Sequence, residues 1–362
     1  MSEVCRSIRI SPCTNNKPTR VNKNVEIVEE FLKVSSDESF LESHPRGAYT
    51  AFTTYHGRFA VPSLEFHRGR LQNSQRILSR DVYRRQCCCR LTEDEELMER
   101  VMKEGVKRAI RELGKDVERE EKEKIGEAVN EGVIIILFPI KCCVDPKNSD
   151  EGDIVECARG ECDELLIYGK ERDGRKRTPD EEGTERGFDV EVCNYRRQNA
   201  PAKDSYWKKE RSGLEKQMRK ECTEVLLSKE NEKGEVELLE GLVTNLFVVI
   251  GSKIYVADDN DVLGGYVREL VLKACNDIGL QVVKQGSTLR SIESWDAAFI
   301  SNEVRDIVLI DGIWIEENFV QNAKDGDQKW ERKSVSTDKA GLVQQLRVKV
   351  RMLREEELSK LC

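Results

Sequence analysis

The chain has 362 residues, more than one average domain of about 100–200 residues, so two domains are expected. Its 60 basic and 68 acidic residues give a net charge of −8, which argues against a nucleic-acid binder held by a basic surface. The longest apolar run, residues 132–140, is shorter than the roughly 20 residues that span a bilayer, so we expect no membrane segment.

The first half opens with a polar segment and continues with alternating patterns. Residues 1–24 are predicted to be a disordered tail, and the expected location is the cytoplasm, or a plastid or mitochondrion if this tail is a transit peptide. Residues 46–60 alternate aromatic with small or polar side chains around His56-Gly57, which predicts a β-hairpin. Leu64–Leu78 and a second segment have helical spacing, and the β-branched run Val133–Phe138 predicts a buried strand.

Changes in composition suggest the domain boundaries. Residues 144–187 are highly charged apart from Leu165–Tyr168, which predicts a solvated surface insertion. We therefore predict a smaller N-terminal α+β domain at 25–195 that carries this insertion, a larger domain at 200–335, and a C-terminal helix within 336–362.

In the second half, helical and strand patterns alternate along the chain. A strand is predicted at 188–195 before the boundary sequence RRQNAPAK. The elements predicted after it are helix 207–220, strands 223–228, 242–250 and 253–256, helix 264–278, and strands 280–284, 297–301 and 307–310.

The thirteen cysteines are interpreted as reduced thiols, since their density is far below that of disulfide-stapled domains. The clusters at 87–89, 142–143 and 157–162 contain no C-x-x-C pair, and the histidines lie far from them in sequence. Structural zinc prefers close ligand pairs, so no metal site is predicted.

Several loose motifs become informative through their order. They are His67-x-x-Arg70-Leu-x-x-Ser74, Lys203, Glu224-Val-Leu-Leu, Leu239-Glu240-Gly-x-x-x-Asn245-Leu-Phe, Gly264-Gly265-Tyr-Val-Arg268 and Ala298-Phe-Ile-Ser301. In this order they resemble the class IV pyridoxal-phosphate aminotransferases, which include branched-chain and D-amino-acid aminotransferases and aminodeoxychorismate lyase. The resemblance covers residues 46–140 and 188–315. It implies an α/β (α+β) fold of the D-amino-acid-aminotransferase-like type, fold type IV, whose larger domain is a pseudo-barrel, and a homodimer.

The resemblance assigns the catalytic lysine to Lys203, which precedes Glu224 by 21 residues, as the family lysine does. Such a lysine binds the aldehyde of pyridoxal phosphate and later moves a proton, so it must be able to lose its charge. Burial favours the neutral amine. Lys208 and Lys209 are the alternatives.

The resemblance also implies the residues that hold the cofactor. Glu240 matches the family glutamate that keeps the pyridine nitrogen protonated, and Arg70 matches the arginine that binds the phosphate. The amides of Gly265, Tyr266 and Val267 begin a predicted helix, where an anion is favoured. Ser301 is assigned to the same phosphate.

Tyrosines supply the predicted substrate pocket. Tyr49 and Tyr55 lie in the predicted hairpin, and Tyr206 could offer a phenol to the cofactor oxygen. Asn245 is interpreted as a structural residue at the end of a strand. The partners implied are a small-molecule amino acid and a 2-oxo acid.

Two positions depart from the family pattern. Val267 stands where most members have threonine, which removes one hydroxyl contact to the phosphate, and Glu303 stands where threonine or serine is usual. The reaction implied is transamination. Two alternatives stay open: a lyase of the aminodeoxychorismate type that uses the same lysine, and a pseudoenzyme without cofactor that acts as a binding or structural protein.

Overall fold

A computed structural model of the chain describes residues 5–10, 32–34, 37–55, 60–82, 89–120, 132–140, 164–171, 187–316, 319 and 329–360. The chain divides into two compact units. Unit 1 comprises residues 1–174, 202–209 and 358–362, and unit 2 comprises residues 175–201 and 210–357.

Unit 1 contains an antiparallel sheet flanked by helices. Its described strands are β1 (Cys5–Ile10), β2 (Leu32–Val34), β3 (Gly47–Thr53), β4 (Ala60–Val61), β5 (Gly132–Pro139), β6 (Leu165–Glu171) and β16 (Ser359–Lys360). Its described helices are α1 (Asp37–Glu42), α2 (Leu64–Asp81), α3 (Arg90–Glu93), α4 (Glu95–Glu120) and the first residues of α5 (Trp207–Gln217). The five-stranded sheet has the order β2-β1-β6-β5-β3, and β16 pairs with β4.

The predicted strand and helix at the centre of this unit are confirmed. Ile134 and Ile136 of β5 share one hydrophobic cluster with Leu71 and Leu78 of α2, while Ile135 and Leu137 pack on the other face. Successive side chains of a strand point to opposite faces, so a continuous apolar run is buried on both.

The predicted hairpin at 46–60 is wrong in its pairing. β3 pairs along its whole length with β5, and the link between the two predicted arms is an isolated bridge between Tyr55 and Ala60. The His56-Gly57 turn signal lies outside the described residues. The long apolar β5 offers seven paired positions, which a two-residue β4 cannot match.

Two segments that composition assigns to solvent contain strands. β1 lies within the predicted tail and pairs with β6, and β6 lies within the predicted insertion at 144–187. Leu165 and Ile167 are fully buried, so the apolar patch at Leu165–Tyr168 is part of the core and not of a solvated insertion. Its four consecutive apolar residues serve both faces of the sheet, and most of the rest of 144–187 lies outside the described residues.

Unit 2 is built on one large sheet. Its strands are β7 (Phe188–Cys193), β8 (Glu224–Glu230), β9 (Val236–Gly241), β10 (Asn245–Ile250), β11 (Lys253–Val256), β12 (Gln281–Lys284), β13 (Ala297–Asn302), β14 (Asp306–Glu316) and β15 (Trp330–Ser334). Its helices are the rest of α5, α6 (Tyr266–Asp277), α7 (Ala340–Glu356) and a 3-10 helix at Leu289–Ser294. The order is β12-β11-β10-β13-β14-β7-β8-β9, and β15 pairs with β14.

The sheet closes on itself, as the predicted pseudo-barrel requires. β9 at the end of the strand order also pairs with β10, through Glu240 and Asn245. The strands β10, β13, β14, β7, β8 and β9 therefore form a ring. No helix among the described residues is long and apolar enough to cross a bilayer.

Most predicted elements of the second half are confirmed within a few residues, with one informative error. The sequence predicts a strand at 242–250 and no separate strand at 236–241. In the structure Glu240 is near the end of β9, and a turn at 242–244 leads to β10. Both strands are apolar, so hydropathy alone did not separate them.

The burial of β6 predicts that Ile167→Ala strongly lowers the stability of the protein. Ile167 is fully buried in the cluster shared with α2 and α4, so the variant should lose about 2–5 kcal/mol of unfolding free energy, measured by urea titration. The control Val348→Ala, at a position 49% exposed on α7, should stay within about 0.5 kcal/mol of the parent protein. Equal stability of the two variants would show that β6 is not part of the core.

Candidate functional site

Lys203 lies in unit 1, where its segment runs along the edge strand β3. The Lys203 C=O accepts from the Tyr49 N–H (2.9 Å), and the Lys203 N–H donates to Ser74 Oγ of α2 (3.0 Å). Further along, the Ser205 N–H donates to the Gly47 C=O (2.9 Å), and the Gly47 N–H donates to Ser205 Oγ (3.1 Å). The backbone on either side of the lysine is thus fixed. These bonds explain why 202–209 belong to unit 1, whereas the predicted boundary placed them in the second domain.

An ion pair strengthens this attachment. Arg46 Nε lies 3.1 Å from Oδ1 and 3.0 Å from Oδ2 of Asp204, and Arg46 Nη2 also donates to Oδ2. Asp204 is buried and forms an isolated antiparallel bridge with Ala48. Because Asp204 directly follows Lys203, this bidentate pair anchors the lysine segment to β3.

The Lys203 amine lies over an aromatic ring. Its Nζ is 4.7 Å from the centroid of the Tyr49 ring, a distance typical of a cation–π contact. Tyr49 is buried and packs with Phe40 and Tyr168. The structure thus brings Tyr49 to the predicted catalytic amine, while its contact with a substrate stays a prediction.

Arg70 is held by two neighbours in unit 1. Its Nη2 donates to Thr50 Oγ1 (2.5 Å) and lies 3.1 Å from His67 Nδ1, which is 2.8 Å from Thr50 Oγ1. A guanidinium can only donate, so Nδ1 of His67 must accept and the imidazole proton belongs on Nε2. Thr50 and His67 therefore orient the guanidinium.

His67 is neutral in this arrangement. Burial, followed by the charges of Arg70 and Lys203, holds the pKa of His67 well below its ordinary value of 6.5. A protonated imidazole would lose its acceptor at Nδ1 and repel the neighbouring cations. The neutral form is thus required for the contact with Arg70.

One face of α2 carries this arrangement. His67, Arg70 and Ser74 are spaced by three and four residues, which places them on the same side of a helix. That spacing could have indicated a role for His67 and Ser74, for which the sequence analysis predicted none. No sequence signal relates Arg46 to Asp204, because the two are 158 residues apart.

Glu240 lies in unit 2 and is buried beside an arginine. Its Oε2 accepts from the Leu263 N–H (3.0 Å), and its Oε1 is 3.7 Å from Nη2 of Arg197, which is also buried. Arg197 in turn donates to the C=O of Ala200. Sequence reasoning missed Arg197, although it lies in the boundary sequence that precedes the lysine.

Asn245 connects Glu240 to the start of α6. Its Nδ2 donates to the Leu263 C=O (2.9 Å) and lies 3.5 Å from Glu240 Oε2. A Cβ added to Gly265 would come within 2.3 Å of Asn245 Oδ1. Gly265 is the N-cap of α6 and provides no side chain to bond the first amides. Asn245 is therefore more than a strand-end residue, since it packs against the turn that begins the helix.

Ser301 completes a polar row across three strands. Asn245 is paired with Glu240 on one side and with Ser301 on the other, and directly paired residues present their side chains on the same face. Ser301 is 1% exposed, and its Oγ has no hydrogen-bond partner among the described residues. A buried hydroxyl without a partner is costly, so it suits a ligand atom.

These residues fit a phosphorylated, nitrogen-containing cofactor. The uncapped amides of α6 attract an anion, the Ser301 hydroxyl can donate to it, and the Glu240 carboxylate can accept from a ring N–H. No group of His, Cys, Asp and Glu within the described ranges could hold a metal ion.

The other predicted site residues lie in less direct positions. Val267 is buried, and Tyr266 is buried with its pKa raised by burial and then by the charges of Glu357 and Glu303. Tyr206 is 39% exposed, with the Arg46 guanidinium 4.8 Å from its ring centroid. The roles of these side chains, and of Tyr55, stay predictions.

Comparison with known proteins agrees with a fit to such a cofactor. The model of the family described as amino-transferase class IV matches residues 175–313. No curated protein matches the chain.

Solved structures share its fold. The T.th. branched-chain amino acid aminotransferase with pyridoxamine 5'-phosphate is 16% identical, with a TM-score of 0.56 over 100% of both chains. The Escherichia coli branched-chain amino acid aminotransferase is 14% identical, with a TM-score of 0.55 over 99% of both chains. The Thermoproteus uzoniensis branched-chain aminotransferase with norvaline is 16% identical, with a TM-score of 0.54 over 87% of this chain and 90% of that chain.

The fold is that of the fold-type IV aminotransferases, and most of unit 2 lies within the family match. Residues 175–313 match the class IV aminotransferase family, and the chain shares its fold with branched-chain aminotransferases. The resemblance deduced from motif order is confirmed.

The contact between Gly265 and Asn245 can be tested by a double-mutant cycle. Gly265→Ala should weaken pyridoxal phosphate binding by on the order of tenfold, because the new Cβ displaces the Asn245 amide from Leu263. In an Asn245→Ala background the same substitution should have little further effect. Affinities come from equilibrium dialysis. Equal effects in both backgrounds would contradict the proposed clash.

Because His67 is neutral in the folded protein, we predict that the protein becomes less stable as the pH falls. Because its pKa is lowered in the folded protein, protons bind preferentially to the unfolded chain, and stability falls as pH drops below 6.5. The loss should reach about 1.4 kcal/mol per pH unit from this group.

Urea unfolding from about pH 7 to about pH 5 measures this loss. The His67→Gln variant should show a shallower dependence on pH than the parent protein. The control His44→Gln removes a histidine that is not part of the contact with Arg70. An unchanged slope in His67→Gln would exclude His67 as the source.

Proposed function

We propose that this chain is a pyridoxal-phosphate-dependent aminotransferase that transfers an amino group between a small-molecule amino acid and a 2-oxo acid. The observation that carries the proposal is the polar row of Glu240, Asn245 and Ser301 beside the uncapped start of α6. The match of residues 175–313 to the class IV aminotransferase family supports it. Homodimerisation and a cytoplasmic location remain predictions.

The residues of unit 2 have complementary tasks in this proposal. Bound pyridoxal phosphate supplies an electron sink for the substrate carbon. Glu240 accepts from the ring N–H and so keeps the proton on that nitrogen, while Arg197 Nη2 lies 3.7 Å from the Oε1 atom of the same carboxylate. The α6 amides and the Ser301 hydroxyl bind the phosphate.

The residues of unit 1 supply the reactive amine and a cation. Lys203 would hold the cofactor through Nζ, and this amine would serve as the base that takes up and returns the proton of the substrate carbon. Its backbone is held by Ser74 and Tyr49, so only the side chain has to move. Arg70, oriented by Thr50 and His67, binds the phosphate.

Identification of the modified lysine tests this function. Borohydride reduction after incubation with pyridoxal phosphate should attach the cofactor permanently to Lys203, as seen by peptide mass spectrometry. Lys203→Ala should lose at least about 10³-fold in the rate of amino transfer to a 2-oxo acid. Lys208→Ala and Lys209→Ala are the matched controls and should keep both the label and the activity.

The other outcomes separate the alternatives. A label on Lys208 or Lys209 would reassign the catalytic amine. Pyruvate release from aminodeoxychorismate without amino transfer would favour the lyase. A parent protein that takes up no pyridoxal phosphate would contradict an enzymatic role and favour a binding or structural protein.

A further inference from the structure

A buried carboxylate stands at the base of the turn that follows Glu240. Glu224 is the first residue of β8 and is 3% exposed. Its Oε1 accepts from the N–H groups of Val225 and Leu242, each at 3.1 Å, and its Oε2 accepts from Thr244 Oγ1 at 2.9 Å. Two of these three donors belong to the turn between β9 and β10.

The turn is closed tightly around this carboxylate. The Gly241 N–H donates to the Thr244 C=O (2.8 Å), and the Leu242 N–H also reaches the Val225 C=O (3.1 Å). A Cβ added to Gly241 would come within 2.2 Å of Thr244 Oγ1 and 2.8 Å of Glu224 Cδ. The backbone of the turn therefore packs directly on the carboxylate.

The turn determines where Glu240 and Asn245 lie. Glu240 is the residue before Gly241, and Asn245 is the residue after Thr244, so a movement of the turn moves both. Their pairing and the 3.0 Å contact from the Leu263 N–H to Glu240 Oε2 depend on that placement.

We propose that Glu224 is a positioning residue, which holds the Glu240 carboxylate in the orientation that the cofactor ring requires. This inference rests on the proposed function. Glu224 acts through the turn and has no role on the reacting atoms. Burial raises the pKa of Glu224, and the hydrogen bonds from the Thr244 hydroxyl and from the Val225 and Leu242 amides oppose this shift.

Hydrogen exchange of the protein without cofactor provides the first test. Glu224→Ala removes the acceptor of the Thr244 hydroxyl and one of the two acceptors of the Leu242 N–H. The turn should then open more often, so amide exchange in a peptide that spans 241–245 should become on the order of tenfold faster. Glu224→Gln keeps one carbonyl acceptor, and the Thr244 hydroxyl can rotate to accept from the new amide. It should therefore restore most of the protection.

The second test uses the coupling between Glu224 and Glu240 in kcat. Glu224→Ala alone should lower kcat for amino transfer by on the order of 10- to 100-fold. In a Glu240→Gln background the same substitution should lower kcat by less than about threefold, because the carboxylate that it positions has already been removed.

Glu191→Ala is the matched control. Glu191 is a buried carboxylate on β7 that accepts from the Arg219 N–H (2.9 Å), with no bond to the turn. Its effect on kcat should be the same in both backgrounds, and exchange in 241–245 should not change.

The two tests have separate points of failure. Unchanged amide exchange in Glu224→Ala would overturn the positioning role. In an active parent enzyme, it would also be overturned if Glu224→Ala lowered kcat by the same factor with and without Glu240→Gln. If the parent protein transferred no amino group, the proposed function would fail, and the exchange experiment would still decide whether Glu224 holds the turn.

Discussion

The pairing of Glu240 with Asn245 is the constraint on which unit 2 depends. It joins β9 to β10 and closes the ring of strands, and it places a buried carboxylate at the closure. The Asn245 amide then packs on Gly265, so ring closure also fixes the start of α6. A barrel that failed to close here would lose the relation between the carboxylate and the start of the helix. The pairing of Glu240 with Asn245 is thus required both for the closed ring of strands and for the geometry of the candidate site.

The neutral state of His67 is the corresponding constraint in unit 1. Burial first, and then the charges of Arg70 and Lys203, lower the pKa of His67 and keep the imidazole neutral. The neutral ring then offers an acceptor that orients Arg70, whereas a protonated ring would repel it. The acidic net charge of the chain does not describe this location, because that charge is summed over all 362 residues. Local composition rather than net charge decides which ligand a site can accept.

Long periodic segments were predictable from the sequence because their hydrophobic spacing is determined locally. This applies to α2, β5 and α7. Strand partners were not predictable, since β3 pairs with the distant β5 and the apolar residues of β6 lie within a charged segment. Motif order selected Lys203 and Glu240 as candidate site residues, and their roles stay predictions. It could not locate Arg46 or Asp204 as partners, because their contact exists only after the lysine segment has paired with β3.

The two departures from the family pattern have different physical meanings. Val267 is buried within α6, so its side chain contributes to packing, while its amide still belongs to the first turn of the helix. Glu303 follows β13, and its charge adds to burial and to the charge of Glu357, which raise the pKa of the Tyr266 phenol. Ser301 offers a buried hydroxyl whose Oγ has no partner among the described residues. Because backbone amides bind an anion regardless of side-chain identity, the start of α6 tolerates the loss of one hydroxyl better than the loss of Gly265.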